Sequence, residues 1–217
     1  NDIGVMFGYG KDIKNNLKLL LKGCVKEMDI CLINNQPFVY VAGFGKFMQV
    51  PYLTPRKLKK KYGYIAYIIE GIKDYFSPTK LYKITYEVNG ITKTGYYSFV
   101  LISNANRIAG INNFYRDVKL DDDKFEVLLC NFNRRKDIIK TFSLLMTIDA
   151  TKVSGVEFYK TNNMKIEFEE YPKYSWCIDG EKLNRANLKY EIKNINKVKI
   201  MLPTKNINKI FVNKKID

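Results

Sequence analysis

Hydrophobic and polar positions alternate along most of the chain, which is the pattern of strands that bury one face. The clearest example is the pair of segments 80–88 and 91–103, which flank Asn89-Gly90, a dipeptide typical of a type I′ hairpin turn. Further strands are predicted at 27–33, 37–42, 125–131, 154–160, 163–170, 174–178, 188–193, 197–202 and 209–213. The pattern predicts a mainly β chain, folded as an antiparallel sandwich or a partly closed barrel.

A few segments instead place apolar residues three and four positions apart, the spacing of an amphipathic helix. Residues 12–22 form the first of these, and Asp12 is placed to cap its start. Residues 55–75 form the strongest, with Pro55 suited to the first turn. Residues 134–147 form another. The sequence therefore predicts a β-rich chain with a few helices.

Composition excludes several classes of protein. The 217 residues are 46% hydrophobic and 27% charged, which is ordinary for a globular protein. Neither a transmembrane helix nor a signal peptide is predicted, because no run of 18 apolar residues exists and no basic segment leads into an apolar core. The absence of His excludes Ser-His-Asp and Cys-His catalysis and imidazole zinc sites. Four Cys without a CxxC pair favour a reduced, cytoplasmic chain, with disulfides or a four-cysteine zinc site left open.

The charge balance is strongly basic. Lys and Arg number 37 against 22 Asp and Glu, a formal net charge of +15. This excess indicates either a general Lys-rich surface or an anionic partner such as nucleic acid, a phosphate-bearing ligand or a membrane. Arg, on which sequence-specific nucleic-acid readers rely, is scarce. The densest cluster is residues 56–61, which include Arg56, Lys57, Lys60 and Lys61, and it suits either a solvated helix start or contact with an anion.

Acidic residues stand out in so basic a chain. Asp121–Asp123 precede a predicted strand, and three adjacent carboxylates require either full solvation or a hard cation such as Mg²⁺ or Ca²⁺. Asp179 and Glu181 follow a buried strand, where they suit either an ordinary turn or a base near a substrate hydroxyl. Asp29 lies inside a predicted strand, where Asp is disfavoured. It is therefore either an edge residue or held there for a reason.

In their order and spacing, these segments resemble the bacterial diacylglycerol kinase family, with its sphingosine and ceramide kinase relatives, over residues 1–202. The elements that carry the resemblance are Asn1-Asp2, Met28-Asp29, Val41–Gly45, the helix Lys57–Ile72, Leu120–Val127 and Ile178–Glu181. Two positions depart from the family pattern: Asp123 replaces a usual Gly, and Tyr40 stands where the family often has Asn.

The resemblance implies a two-domain kinase in which a lipid hydroxyl attacks the γ-phosphate of ATP in the cleft between the domains. Residues 1–25 are expected to be the end of the α/β nucleotide-binding domain, 26–202 the antiparallel β-sandwich domain, and 203–217 a strand or tail. The family's Gly-Gly-Asp-Gly-Thr nucleotide loop is absent from this sequence, so the chain alone is expected to be inactive.

The resemblance also implies roles for individual residues. Asp179 and Glu181 fall on the general-base element, without deciding which of the two takes the proton. Asp122 falls on a Mg²⁺ site completed by the backbone carbonyls of Lys119 and Lys124.

Two further assignments concern the reactants. Asp29 falls on a carboxylate linked to the catalytic metal through water, and Asn1 and Asp2 lie on a stretch that binds the nucleotide cofactor. Diacylglycerol is the expected acceptor, with phosphatidylglycerol, undecaprenol and sphingoid bases left open.

The resemblance implies a cytoplasmic enzyme at the inner membrane face, and a homodimer is left open. Residues 56–61 and aromatic side chains such as Tyr62 and Tyr64 would contact the anionic membrane. The main alternative is a basic β-domain that binds nucleic acid or other polyanions. That alternative gives no reason for Asp122 or Asp179, so nucleic acid is not expected as a partner.

Overall fold

The computed structural model describes residues 2–132, 136–138, 155–184, 186–203 and 207–212. Its helices are α1 (Asp2–Met6), α2 (Ile13–Leu21), α3 (Val50–Leu53), α4 (Arg56–Tyr62), α5 (Tyr64–Phe76) and α6 (Ile207–Ile210). Its strands are β1 (Cys24–Ile33), β2 (Gln36–Phe38), β3 (Val41–Gly45), β4 (Tyr82–Val88), β5 (Ile91–Tyr97), β6 (Phe99–Ser103), β7 (Arg107–Ile108), β8 (Ile111–Asn112), β9 (Phe125–Cys130), β10 (Val156–Thr161), β11 (Asn163–Phe168), β12 (Cys177–Ile178), β13 (Glu181–Lys182) and β14 (Lys189–Leu202). Most of the predicted helix 134–147 lies outside the described residues.

Two six-stranded antiparallel sheets form the molecule's frame. Sheet A has the order β2-β1-β14-β11-β4-β5, and sheet B has the order β10-β9-β6-β3-β12-β13. One buried cluster draws side chains from both sheets, among them Ile84, Tyr86, Ile166 and Ile192 of sheet A and Val100, Ile102, Val127 and Leu129 of sheet B. The two sheets therefore pack face to face, and of the two predicted architectures the sandwich is confirmed.

The central strands of sheet B are covered on both faces. Every residue of β6 and of β9 is buried. A second apolar cluster covers the outer face, and it includes Met6, Phe114, Tyr115, Leu120, Phe132 and Phe211. Strands buried on both sides lose the alternation of polar and apolar residues, which is why Phe125–Cys130 is a continuous apolar run broken only by Glu126.

An aromatic cluster fixes the segment that enters β12. The ring of Trp176 is fully buried, with its centroid 5.4 Å from that of Tyr190 and 5.7 Å from that of Phe44. Phe44 in turn packs edge-on against Phe168 at 4.7 Å. Such aromatic pairs contribute about 0.5–1.5 kcal/mol each beyond their burial. The turn that follows β12 therefore begins directly after a tightly packed part of the core.

Several predicted boundaries differ in the structure. The predicted strand 91–103 is two strands, because the chain crosses from sheet A to sheet B at Ser98, whose amide bonds to the carbonyl of Cys130 at 3.0 Å. The predicted strands 188–193 and 197–202 are one strand, β14, with a bulge at Ile195. Of the predicted strand 174–178, only Cys177–Ile178 pairs with a neighbour.

Two helix predictions also change. The predicted helix 55–75 is divided into α4 and α5 at Gly63, whose φ of +54° interrupts the helical path. The predicted strand 209–213 is wrong over its described part, because Ile210 ends helix α6. The carbonyl of Ile210 instead accepts a hydrogen bond from the amide of Leu120 at 2.8 Å, so this segment is bonded to the loop before β9.

A partly buried carboxylate links the two sheets. Glu157 of β10 accepts hydrogen bonds from the hydroxyls of Tyr86, Tyr97 and Tyr159 and from the ammonium of Lys93 at 2.9 Å. Partial burial raises its pKa, but these four donors outweigh the burial and lower the pKa to about 2.

Replacing Glu157 with Gln is expected to reduce the free energy of unfolding by about 1–3 kcal/mol at pH 7, because donors to a charged acceptor are lost. The folded pKa lies below the unfolded value of 4.5, so the stabilisation is complete above about pH 4.5 and disappears as the pH falls towards 2. Urea unfolding at pH 7 and pH 3 measures this. Glu87→Gln, which removes an exposed ion pair with Lys165, should change the stability by less than about 0.5 kcal/mol. A wild-type advantage that is as large at pH 3 as at pH 7 would contradict the assignment.

Candidate active site

Asp179 occupies the tight turn between β12 and β13. Its φ is +47°, and its carboxylate reaches back to the chain just before β3. Oδ1 accepts the backbone N–H groups of Tyr40 at 3.0 Å and Val41 at 2.9 Å, while Oδ2 accepts that of Val39 at 2.9 Å. The turn and the entry to β3 are therefore held together by one carboxylate.

This arrangement gives the two acidic residues of the turn different character. A carboxylate has roughly four acceptor positions, so three backbone donors leave one, on Oδ2 of Asp179. The donors also fix the orientation of the carboxylate. Glu181 begins β13 with its side chain exposed. The structure thus offers one fixed and one solvent-facing carboxylate near the same strand end.

Asp29 is fully buried in β1, and the structure holds it there for a reason rather than leaving it at an edge. Its Oδ2 accepts the backbone N–H of Asp123 at 2.8 Å, and its own N–H donates to the carbonyl of Leu120 at 2.7 Å. The side-chain amide of Asn104 donates to the Asp29 carbonyl at 3.1 Å. Asp123 adopts a φ of +60°, a conformation that suits Gly and that Asp tolerates, so this departure from the family pattern leaves the loop intact.

The electrostatic surroundings of Asp29 disfavour its charge. Burial raises its pKa to about 6, and the carboxylates of Asp122 and Asp123 act in the same direction. The Asp123 amide and the ammonium of Lys197 oppose this shift. Oδ1 of Asp29 has no hydrogen-bond donor within the described part of the chain.

Lys197 is a member of the site that the sequence did not reveal. It is the cross-strand partner of Asp29 in the pairing of β1 with β14. Its ammonium lies 3.1 Å from Oδ1 of Asp123 and 3.7 Å from Oδ1 of Asp29, and it donates to the carbonyl of Asp121 at 2.8 Å. The strand register that brings it there is a long-range feature without a local sequence signal.

A second lysine, Lys160, neutralises the other side of the loop. Its ammonium lies 2.7 Å from Oδ2 of Asp122 and 3.4 Å from Oε1 of Glu126. Burial raises the pKa of Glu126 to about 8, with Lys160 opposing the shift and Asp122 adding to it. Oδ1 of Asp122 and Oε2 of Glu126 are buried without a donor among the described residues.

These oxygens fit a hard cation. Buried acceptors without donors are costly, and carboxylate and carbonyl oxygens are the ligands that Mg²⁺ and Ca²⁺ prefer. No group of three or more acidic, Cys or His side chains within the described ranges is arranged to hold a metal. The predicted site has a different make-up, with one carboxylate from Asp122 and two main-chain carbonyls, from Lys119 and Lys124. That assignment stays a prediction.

Asp2 serves an observed structural purpose, whereas Asn1 lies outside the described residues. The carboxylate of Asp2 accepts hydrogen bonds from Nε of Arg107 at 2.9 Å, from the amide of Gly110 at 2.9 Å and from the hydroxyl of Tyr40 at 3.0 Å. Tyr40, the second departure from the family pattern, thus joins Asp2 through its hydroxyl and Asp179 through its amide. Nucleotide binding by Asp2 stays a prediction.

The predicted basic cluster lies on α4, with Arg56, Lys57, Lys60 and Lys61 exposed. Tyr62 is exposed as expected, while the side chain of Tyr64 is outside the described part of the chain. Among the described residues, no helix combines the length and the apolarity needed to cross a bilayer.

Two relatives in sequence and one solved structure show what this chain is similar to. The chain is 27% identical over 198 residues to a diacylglycerol kinase of Staphylococcus saprophyticus, covering 89% of this chain and 64% of that protein. A diacylglycerol kinase of Staphylococcus aureus is 27% identical over 181 residues, covering 83% of this chain and 56% of the relative. A solved diacylglycerol kinase structure from Bacillus anthracis has a TM-score of 0.68 at 21% identity, covering 90% of this chain and 62% of that one.

No family model matches the chain. The chain spans about three fifths of the length of the relatives, at 64% and 56%. The solved structure shares the fold described above, and the two relatives extend the likeness to the sequence over most of this chain.

Replacing Glu126 with Gln is expected to stabilise the fold at pH 8.5 in the presence of a chelator, by about 1–3 kcal/mol, because it removes a poorly compensated buried charge. The raised pKa of about 8 means that the cost of this charge grows as the pH rises from the unfolded value of 4.5. The difference from wild type should therefore shrink at pH 5.

Urea unfolding at pH 5 and pH 8.5 measures this effect, with Glu191→Gln as an exposed control that should behave as wild type at both values. A less stable Glu126→Gln protein at pH 8.5 would show that Glu126 contributes favourable contacts as an anion.

Proposed function

Because the chain belongs to the bacterial diacylglycerol kinase family, we propose that it provides the acceptor side of an ATP-dependent lipid kinase, which converts diacylglycerol into phosphatidic acid. The observation that carries the proposal is the fixed carboxylate of Asp179, presented with Glu181 at a rigid turn. The class of reaction, phosphorylation of a lipid, is taken from the relatives, which are named diacylglycerol kinase. ATP is the phosphoryl donor, and its binding is expected to involve chain segments beyond this sandwich.

The carboxylates of the turn receive the proton of the acceptor hydroxyl. Phosphoryl transfer needs positioning and charge neutralisation more than a strong base, so a carboxylate held by three amides is suited to orient a hydroxyl through its remaining acceptor position. Glu181 provides a second, solvent-exposed acceptor at the same strand end. In one case Asp179 orients the acceptor hydroxyl and Glu181 exchanges the proton with solvent. In the other case Asp179 performs both tasks. Separate substitutions of the two residues distinguish these cases.

Mg²⁺ is the proposed metal of the acidic loop. Asp122 holds it through its carboxylate, and the carbonyls of Lys119 and Lys124 complete the site. When bound, the ion supplies positive charge that offsets the buried carboxylates and fixes the loop. Asp29 positions this loop through the Asp123 amide, and Lys197 and Lys160 neutralise the loop from its two sides.

The acceptor is a membrane lipid, and the protein meets it at the anionic inner membrane face. The exposed cations of α4 support this contact. Binding of nucleic acid or another polyanion has only the net charge in its favour. It would leave the buried carboxylates of Asp29 and Glu126 without a purpose.

Asp179→Asn and Glu181→Gln test the proton acceptor in the full-length protein. Loss of the true base should lower kcat by about 10²–10⁴-fold, whereas the KM for ATP should change little, because the donor is held elsewhere. Transfer of labelled phosphate from ATP to diacylglycerol in mixed micelles measures both constants. Glu191→Gln, exposed on β14, is the matched control.

Asp179→Asn also turns an amide NH₂ towards backbone donors, so its unfolding midpoint must be measured beside its kcat. A stable Asp179→Asn protein with lowered kcat identifies a catalytic role, and lowered stability with normal kcat identifies a purely structural one. Wild-type kcat in both variants would refute the assignment of this turn.

Mg²⁺ should raise the melting temperature of the chain by about 3–8 °C at saturating concentration, since a ligand that binds only the folded state stabilises it. Asp122→Asn should abolish the shift. Glu167→Gln, an exposed carboxylate paired with Lys189 on sheet A, should retain it. Differential scanning fluorimetry with and without Mg²⁺ provides the measurement. An equal shift in the Asp122→Asn protein would place the ion elsewhere.

A further inference from the structure

Helix α5 presents its apolar face to solvent. Five large apolar side chains recur at helical spacing on one side of the helix, and each is between 44% and 59% exposed: Ile65, Ile68, Ile69, Ile72 and Phe76. The other side carries Ala66, which is buried, and Tyr67 and Glu70, which are half-buried. A helix on a globular protein normally turns its wide apolar stripe towards the core. Here the stripe, which we call the isoleucine face, points away from it.

The isoleucine face belongs to a firmly attached helix. Lys46, a buried residue after β3, donates from its ammonium to the carbonyl of Asp74 and to the carbonyl of Ser77 at 2.8 Å. The Asp74 carboxylate accepts the amide of Phe47 at 2.7 Å. A cation at a helix C-terminus is favourable because it offsets the macrodipole. The exposed face is therefore held in one orientation.

Positive charge lies directly before the isoleucine face. Helix α4 exposes Arg56, Lys57, Lys60 and Lys61, and it meets α5 at Gly63. The acidic side chains of α5 are engaged within the protein, Glu70 with Lys73 at 2.6 Å and Asp74 with Phe47. Exposed apolar residues beside exposed cations are the combination by which amphipathic helices bind anionic membranes.

The helices of this surface are linked to the candidate active site through α3. Helix α3 packs against β13, the strand that begins at Glu181. The ammonium of Lys59 in α4 donates to the carbonyl of Pro51 in α3 at 2.5 Å, which ties the basic helix to that packing. Helix α3 therefore connects the basic helix with the strand that begins at Glu181.

We propose that the isoleucine face inserts into the headgroup region of an anionic membrane, with the cations of α4 providing the attraction. A second copy of this chain is a poorer occupant, because it would bring two sets of α4 cations together. The proposal names the surface through which the proposed lipid kinase meets its substrate, and it rests on that function only for the purpose of the contact.

The test measures the sedimentation of the 217-residue chain with two kinds of vesicle. One kind contains phosphatidylcholine alone, and the other contains phosphatidylcholine with about 30% phosphatidylglycerol, which gives the surface a negative potential. The double variant Ile68→Ser, Ile69→Ser should lower the partition coefficient on anionic vesicles by about tenfold or more. The triple variant Lys57→Gln, Lys60→Gln, Lys61→Gln should lower it by about fivefold per lysine.

Helix α2 provides matched controls, because it also exposes apolar residues and lysines. Two control variants should bind vesicles as wild type does. One is the double variant Leu17→Ser, Leu21→Ser, and the other is the triple variant Lys14→Gln, Lys18→Gln, Lys22→Gln. Circular dichroism checks that every variant is folded. Loss of binding in the α2 variants with normal binding in the α5 variant would overturn the proposal, as would wild-type binding by the Ile68→Ser, Ile69→Ser protein.

Two further readouts separate the remaining outcomes. If light scattering shows that the wild-type chain is a dimer and the α5 double variant a monomer, the face is a contact between copies and the proposal fails. Vesicle binding requires neither ATP nor the carboxylates, so Asp179→Asn should bind as wild type. Binding with the predicted variant pattern but without any kinase activity in the full-length protein would refute the proposed function and leave the membrane surface standing.

Discussion

The burial of the central strands of sheet B on both faces is the constraint on which the site depends. Strands β6 and β9 have no solvent-facing side, so polar groups at their ends must find partners in the protein. Glu126 meets Lys160, and Asn104, which follows β6, meets the Asp29 carbonyl. At the same strand ends of this sheet, beside Val41 of β3, Asp179 takes up three backbone amides. The candidate chemistry lies where chain segments leave the covered sheet and their polar atoms are brought close together.

The hydrophobic pattern predicted the kinds of elements better than their boundaries. Alternation identifies strands locally, and it carries no information about which sheet a strand joins. The run 91–103 therefore reads as one strand, although Ser98 bonds to Cys130 and redirects the chain into sheet B. The bulge at Ile195 has the opposite effect, since it breaks the alternation within one continuous strand. Gly63 interrupts a helical pattern whose apolar spacing continues on both sides.

The acidic residues of the site were visible in the sequence, whereas their counter-charges were not. Asp29 attracts notice because a carboxylate is unusual in a strand, and Asp122 because its neighbours are also acidic. Lys160 and Lys197 are two lysines among many in a chain of net charge +15. Their positions follow from the register of β14 against β1 and from the placement of β10 beside β9. Such positions depend on the complete sandwich.

The pairing of β1 with β14 has a consequence for how the protein is made. It joins Cys24 to Leu202, so β1 leaves the ribosome long before its neighbour in sheet A, β14. Until β14 appears, β1 presents an open edge, and Asp29 lacks its cross-strand lysine. High contact order of this kind slows folding and prolongs the exposure of unpaired strands to other chains. The nascent chain therefore has reason to depend on chaperones, and removal of β14 would deprive sheet A of a central strand.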